Sequence, residues 1–154
     1  EGEVGKTGVA ISSLADMEAL YGDLAAEQRE RIAPLLAGLE RPELLADRIA
    51  ALVTQRSELF ETIAPVRHAI GTRAFESTAL QERLTELAAS LREQVESQFA
   101  PEVQEQPPRR RRPMVDTLDL LTSFEAWDRL RVVQRLDRRQ TEQTLADVLA
   151  AVLT

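Results

Sequence analysis

The side chains of this 154-residue chain that could do chemistry are few and dispersed. His68 is the single histidine, and there is no cysteine. A histidine acting as a general base needs a nucleophile beside it, and nothing in the sequence identifies one. A metal site asks for several ligands at helical spacing. Glu61 lies seven residues before His68 and no second histidine is present. Without cysteine there is no thiolate nucleophile, no cysteine–zinc site and no disulfide framework. Gly5-Lys6-Thr7 has the form of the end of a phosphate-binding loop, but the earlier glycine and strand that such a loop needs are not there. Arg109 to Arg112 is the densest positive run. No aromatic residue interleaves it, so it reads as a solvated surface rather than a phosphate site. The carboxylates alternate with arginines, as Glu82, Glu86 and Glu93 do with Arg83 and Arg92, which is the pattern of surface ion pairs on a helix. The expectation is a protein that is not an enzyme, with no catalytic residue, no metal and no cofactor.

Binding is the better prospect. Phe60, Phe75, Phe99, Phe124 and Trp127 are spaced to line an apolar pocket between helices. For any one of them alone, ordinary core filling is the commoner role. Trp127 also carries an indole N–H that needs an acceptor once buried.

The elements that must position these residues are helices. Hydrophobic residues make up 44% of the chain, enough for a core, while the 6 glycines and 7 prolines are sparse and helix formers dominate. No alternating β-branched run marks a strand. The formal net charge is −7, which disfavours nucleic-acid binding by the whole chain, because phosphates call for a basic face. No apolar run approaches the roughly 20 residues of a membrane helix, and no secretory pattern opens the chain. A cytoplasmic location with no membrane contact is expected.

The periodicity predicts about six helices. The first runs from Asp16, with Met17, Leu20, Leu24 and Ile32 on one side, and should kink or end at Pro34. Pro42 opens a second, with Leu45, Ile49, Leu52, Val53, Leu59, Phe60 and Ile63 as its core face and Arg48, Arg56 and Glu58 on other faces. It should stop before Pro65, leaving Ala64 to Ile70 as a short piece closed by Gly71. Thr78 and Gln81 form a capping-box pattern for a helix whose face is Leu80, Leu84, Leu87, Leu91 and Val95. Pro101 should stop it. Loops are expected at residues 38–42, 71–77 and 101–112.

Residues 113–154 read as two helices joined by a turn near Leu136 and Asp137. Pro113 suits a first helical turn, and Asp137 with Gln140 suits a capping box. At about 100° per residue the apolar side chains of the first helix fall in two arcs. Met114, Val115, Leu118, Ala126 and Val133 form one; Leu120, Leu121, Phe124 and Trp127 form the other. A helix apolar on two sides is covered from both. The second neighbour is either the domain's own core or a second subunit, and a second subunit is preferred. Leu145, Val148, Leu149 and Val152 then stripe the last helix. Leu120, Leu121, Phe124, Leu145, Val148, Leu149 and Val152 are the expected dimer contacts, in an isologous four-helix interface.

The segment Leu120-Leu121-Thr122-Ser123-Phe124-Glu125-Ala126-Trp127-Asp128-Arg129-Leu130-Arg131, followed by Arg135-Leu136 and an amphipathic helix, resembles the C-terminal end of the tetracycline-repressor-like regulators. Gly8-Val9-Ala10-Ile11-Ser12-Ser13-Leu14 resembles the turn and start of that family's recognition helix. Asp16 to Tyr21 resembles the beginning of its connecting helix. Between these two pieces the sequence is shorter than the family pattern by about one helical turn of 3.6 residues. The resemblance implies an all-α bundle. Residues 1–15 would be the remnant of a helix-turn-helix DNA-binding region, and residues 16–154 a ligand-binding and dimerisation domain whose last two helices pair in a homodimer. It further implies Lys6, Ser12 and Ser13 as DNA contacts, and Phe60, Arg67, His68, Phe124 and Trp127 around a small apolar effector. Operator DNA would be the partner of the full polypeptide. The alternative is a dimeric helical interaction module without DNA binding, which the acidic charge favours.

Overall fold

The computed structural model describes residues 30–71 and 76–154. Residues 30–37 are helical (α1). They are followed by α2 (Leu45–Ile70), α3 (Thr78–Gln98), α4 (Ala100–Glu105), α5 (Pro108–Leu121), α6 (Phe124–Asp128) and α7 (Arg138–Leu153). One π-helical turn, Arg129–Val133, extends α6. The fold is an all-α bundle, with no strand among the described residues. The expected DNA contacts Lys6, Ser12 and Ser13, the whole 1–15 segment, the Met17–Leu24 stripe and Phe75 lie outside the described residues.

The 26-residue helix α2 is the central pillar. Its residues Leu52, Leu59 and Phe60 are fully buried, and its principal neighbour is α7, whose Leu145, Leu149 and Leu153 enter the same core. To this core α3 contributes Leu91 and Val95, and α5 contributes Val115 and Leu118.

Proline positions account for most differences from the predicted boundaries. Pro34 lies inside α1, which runs three residues past it to residue 37. Pro65 lies inside α2, so the segment up to Ile70 is the end of one helix and not a separate piece. A proline interior to a helix loses one N–H bond, and on an exposed face the freed carbonyl can turn to water; Pro65 is exposed. Gly71 does close α2, with φ +51°, a conformation that glycine adopts without strain. Pro101 sits near the start of α4 rather than in a loop. Pro107 is extended (φ −53°, ψ 143°), as a residue before proline tends to be, and Pro108 opens α5. Residues 101–112, expected as a loop, are therefore mostly helical; Arg109 to Arg112 form the first turns of α5, and Pro113 is internal to it.

The largest departure is in the stretch predicted as one two-faced helix. It breaks at Thr122 and Ser123. The Thr122 hydroxyl donates back to the Leu118 carbonyl at 2.9 Å. Ser123 is the N-cap of α6, its Oγ accepting from Ala126 N–H at 3.2 Å. Short hydroxyl side chains compete with the helical ladder in this way and favour termini over interiors. Val115 and Leu118 of the first arc and Trp127 of the second consequently enter one core within one subunit, with Met114, Leu121 and Phe124 packed against it. The inference of a second subunit from two apolar sides loses its premise. Leu145 and Leu149, expected at the dimer seam, are 5% and 0% exposed and face the subunit's own core. Leu120 and Val148 are exposed; Leu121, Phe124 and Val152 are partly buried.

Two caps were anticipated. At α3 the capping residue is Ser77, one position before the expected Thr78, with Ser77 Oγ accepting from Leu80 N–H. At α7 the expected box is present: Gln140 N–H donates to Asp137 Oδ1 at 2.8 Å and Asp137 N–H to Gln140 Oε1 at 3.0 Å. Asp137→Ala removes this reciprocal pair and should lower stability by about 1 kcal/mol in urea denaturation, without altering the helical circular dichroism of the native state.

Candidate functional site

Five residues singled out as effector contacts come together at the α2–α6 junction. Phe60 and Arg67 are seven residues apart on α2, two turns along one face, and His68 adjoins them. The Thr122–Ser123 break redirects the chain so that α6 lays Phe124 and Trp127 against that face. Phe60 and Phe124 meet edge-to-face with centroids 5.6 Å apart, Phe60 and Trp127 lie at 5.8 Å, and Phe124 and Trp127 at 5.9 Å. Offset and edge contacts of this kind match the positive ring edge to the negative face.

Burial grades through the cluster. Phe60 is fully buried and Trp127 is 4% exposed, while Phe124 is only partly covered. Arg67 stacks on Phe124, its guanidinium carbon 4.6 Å from the ring centroid, and reaches Glu125 at 2.5 Å. His68 was expected to be partly buried. It is instead half exposed, pairing through Nε2 with Asp128 Oδ1 at 2.7 Å, with its ring 6.1 Å from Phe124. Arg131 lies 5.8 Å from the Trp127 ring and donates to the Leu136 carbonyl at 3.0 Å. Among the described residues the buried Trp127 indole N–H finds no acceptor.

Beside the cluster opens a cleft of about 360 Å³. Ile70, Leu84 and Phe124 give it apolar walls; Arg67, Asp128 and Arg129 give it a charged rim. Phe60 and Trp127 form the floor behind Phe124 and not the lining, so of the five expected residues Arg67 and Phe124 are the ones at the surface of the cleft. An aromatic wall with an arginine stacked on it can receive a planar apolar molecule by exchange, the ligand ring replacing the guanidinium. No group of three or more metal-binding side chains occurs among the described residues.

Sequence reasoning missed a second, polar site. Arg56 was placed off the core face, yet it is 1% exposed. It donates to Gln55 Oε1 at 2.5 Å, Gln94 Oε1 at 2.8 Å and the Leu91 carbonyl at 2.9 Å. No carboxylate of the described residues pairs with it; desolvation by burial lowers its pKa to about 10, opposed by the field of Asp119. Arg48 is also buried, paired with Glu102. The signal was present in the spacing. Arg56 lies four residues after Leu52 and four before Phe60, so it shares their inward face.

Of the expected surface features, Arg109, Arg110 and Arg112 are exposed, and Arg111 donates to the carbonyls of Gln104 and Gln106, both at 3.0 Å. Arg92 bridges α3 to α5 through Asp116 at 2.6 Å, and this hydrogen bond raises its pKa. Compared with family models, curated proteins and solved structures, the chain matches none.

The two phenylalanines should separate core from lining. Phe60→Ala, at full burial, is expected to cost about 4 kcal/mol in urea denaturation. Phe124→Ala should cost less than half of that, because the ring is partly in water already. Trp127→Phe should stay within about 1 kcal/mol of the parent, since the lost ring area is offset by removing an unpaired buried N–H.

Proposed function

We propose that this chain is the effector-sensing and dimerisation part of a ligand-responsive transcriptional regulator, acting as a repressor. The observation that carries the reading is the three-ring cluster of Phe60, Phe124 and Trp127 beside an open apolar cleft with Arg67 at its edge. A volume of about 360 Å³ falls within the range of roughly 300–1,000 Å³ for small-molecule sites. The effector would be a small, ring-bearing apolar molecule. Helix α1, the described end of the segment that would connect to a DNA reader, leans on the same bundle through Ile32, Leu35 and Leu36. In a dimer, a shift of that helix changes the separation of two reading heads, which must match half-sites about 34 Å apart. The effector must prefer one separation over the other for anything to shift. Operator DNA is the partner that this reading requires.

The dimer surface in this reading is smaller than the sequence pattern implied. It centres on Leu120 and Val148, the exposed apolar residues of α5 and α7, with Val152 at its edge. A second reading, a dimeric helical interaction module without DNA binding, is favoured by the net charge of −7.

Trp127 is the single tryptophan, so its emission reports on the cluster directly. Titration with naphthalene and with 1-anilinonaphthalene-8-sulfonate should give saturable changes in Trp127 fluorescence, weakened at least about tenfold by Phe124→Ala. Light scattering should give the mass of two chains, reduced to one by Leu120→Asp. Absence of saturable binding together with a single-chain mass would sink the regulator reading. Binding and dimerisation without retention of any genomic DNA fragment by the full polypeptide would leave the interaction module.

A further inference from the structure

The end of α1 and the chain that follows it are held to the bundle in an unusual way. Gln55 Nε2 donates to the Leu35 carbonyl, Gln94 Nε2 to the Leu36 carbonyl at 2.5 Å, and Gln98 Nε2 to the Glu40 carbonyl at 3.1 Å. Arg41 reaches back to the Ser97 hydroxyl. Three of these four bonds end on backbone oxygen of residues 35–40, two of them on carbonyls near the end of α1, where the helical ladder runs out of donors.

The apolar hold on the same segment is slight. Ile32, Leu35, Leu36 and Leu39 are only partly buried. A cleft opens on each flank, about 650 Å³ towards α3 and about 420 Å³ towards α2. The segment rests in the α2–α3 groove without filling it.

Arg56 organises the hold. It occupies the side-chain oxygens of Gln55 and Gln94 at 2.5 and 2.8 Å, which turns both amide N–H groups outwards to the Leu35 and Leu36 carbonyls. Its third acceptor is the Leu91 carbonyl on α3. None of the three acceptors belongs to the segment being held, so the guanidinium keeps them whether the segment is seated or lifted.

We propose that residues 32–41 are a strap that lifts from and returns to the α2–α3 groove as a unit, latched by Gln55 and Gln94, with Arg56 keeping the latch formed in both states. Few buried apolar contacts combined with a handful of directional bonds define a unit that opens well below the free energy of global unfolding. The lifted amides regain water, so opening leaves no stranded buried donor. The carbonyls at Leu35 and Leu36 fix one register on return. Phe60 lies one turn beyond Arg56 on α2, so the aromatic cluster and the latch share a helix face. The proposal stands on the bonding pattern and holds whether or not the cleft has an effector.

Hydrogen exchange followed by mass spectrometry on the intact chain, without ligand, tests it. Peptides spanning residues 32–41 should exchange at least about a hundredfold faster than those within residues 52–63 and 145–153. Gln94→Glu keeps a side-chain oxygen for Arg56 but removes the donor to the Leu36 carbonyl, and should speed exchange in residues 32–41 by about a further tenfold while leaving the other two regions unchanged. Gln55→Glu, which keeps the acceptor for Arg56 and loses the donor to the Leu35 carbonyl, should do the same. Protection of the strap equal to that of residues 52–63 overturns the proposal. So does acceleration that spreads equally into α2 and α7, or a strap that both glutamine variants leave unchanged.

Discussion

A guanidinium leaves water at a high cost unless acceptors meet its donors, and Arg56 has left water almost completely, its two terminal nitrogens bonded and its Nε–H alone without an acceptor among the described residues. That requirement organises one end of the bundle. Its three acceptors come from its own helix and from α3, so meeting them fixes how α2 and α3 face each other. The choice of neutral amides over a carboxylate matters. A carboxylate would have ended the chain of contacts in an ion pair. An amide accepts on one side and donates on the other, so the bonds that Gln55 and Gln94 accept from Arg56 are passed on as bonds to the Leu35 and Leu36 carbonyls in the last turn of α1. Burial holds the cation at a cost, visible in its lowered pKa of about 10, and that cost is set against a defined geometry rather than against added attraction.

The other end of the bundle is organised by a break. Had α5 run on through Thr122 and Ser123, Leu118 and Trp127 would lie at opposed faces of one rod, and a single core could not have covered both. The two hydroxyls end one helix and begin the next, and the redirected chain folds both apolar arcs onto α2. The π-helical turn and the left-handed Arg135 (φ 57°) then allow Leu136 N–H to reach the Leu130 carbonyl at 3.0 Å, which sets the entry to α7. The aromatic cluster is a consequence of these two turns as much as of the rings themselves.

Much of the site was legible because helices carry their geometry in their spacing. The interval from Phe60 to Arg67, the apolar stripe of α2, and the cap at Asp137 follow from 3.6 residues per turn and from local hydrogen bonding, which need no knowledge of neighbours. The departures fall on three kinds of residue. Proline is expected to terminate a helix at Pro34 and Pro65, whereas both exposed positions tolerate it; α3 does end before Pro101, but Pro101 then sits in the first turn of α4 rather than in a loop. Thr122 and Ser123 were treated as helix interior, although both favour termini. Arg56 is expected on another face than the core stripe, although its spacing from Leu52 and Phe60 already places it inward.

The sequence by itself determined that the chain is helical, which face of α2 points inward, and that no cysteine chemistry is available to it. Those are properties of short windows and of composition. Only the tertiary structure decided that Leu145 and Leu149 belong to the subunit's own core, that Phe124 and not Trp127 fronts the cleft, and that the terminal nitrogens of a buried arginine are met by two glutamines and a carbonyl. Each of those depends on which helix lies opposite, and a periodic pattern states that a face must be covered without stating by what.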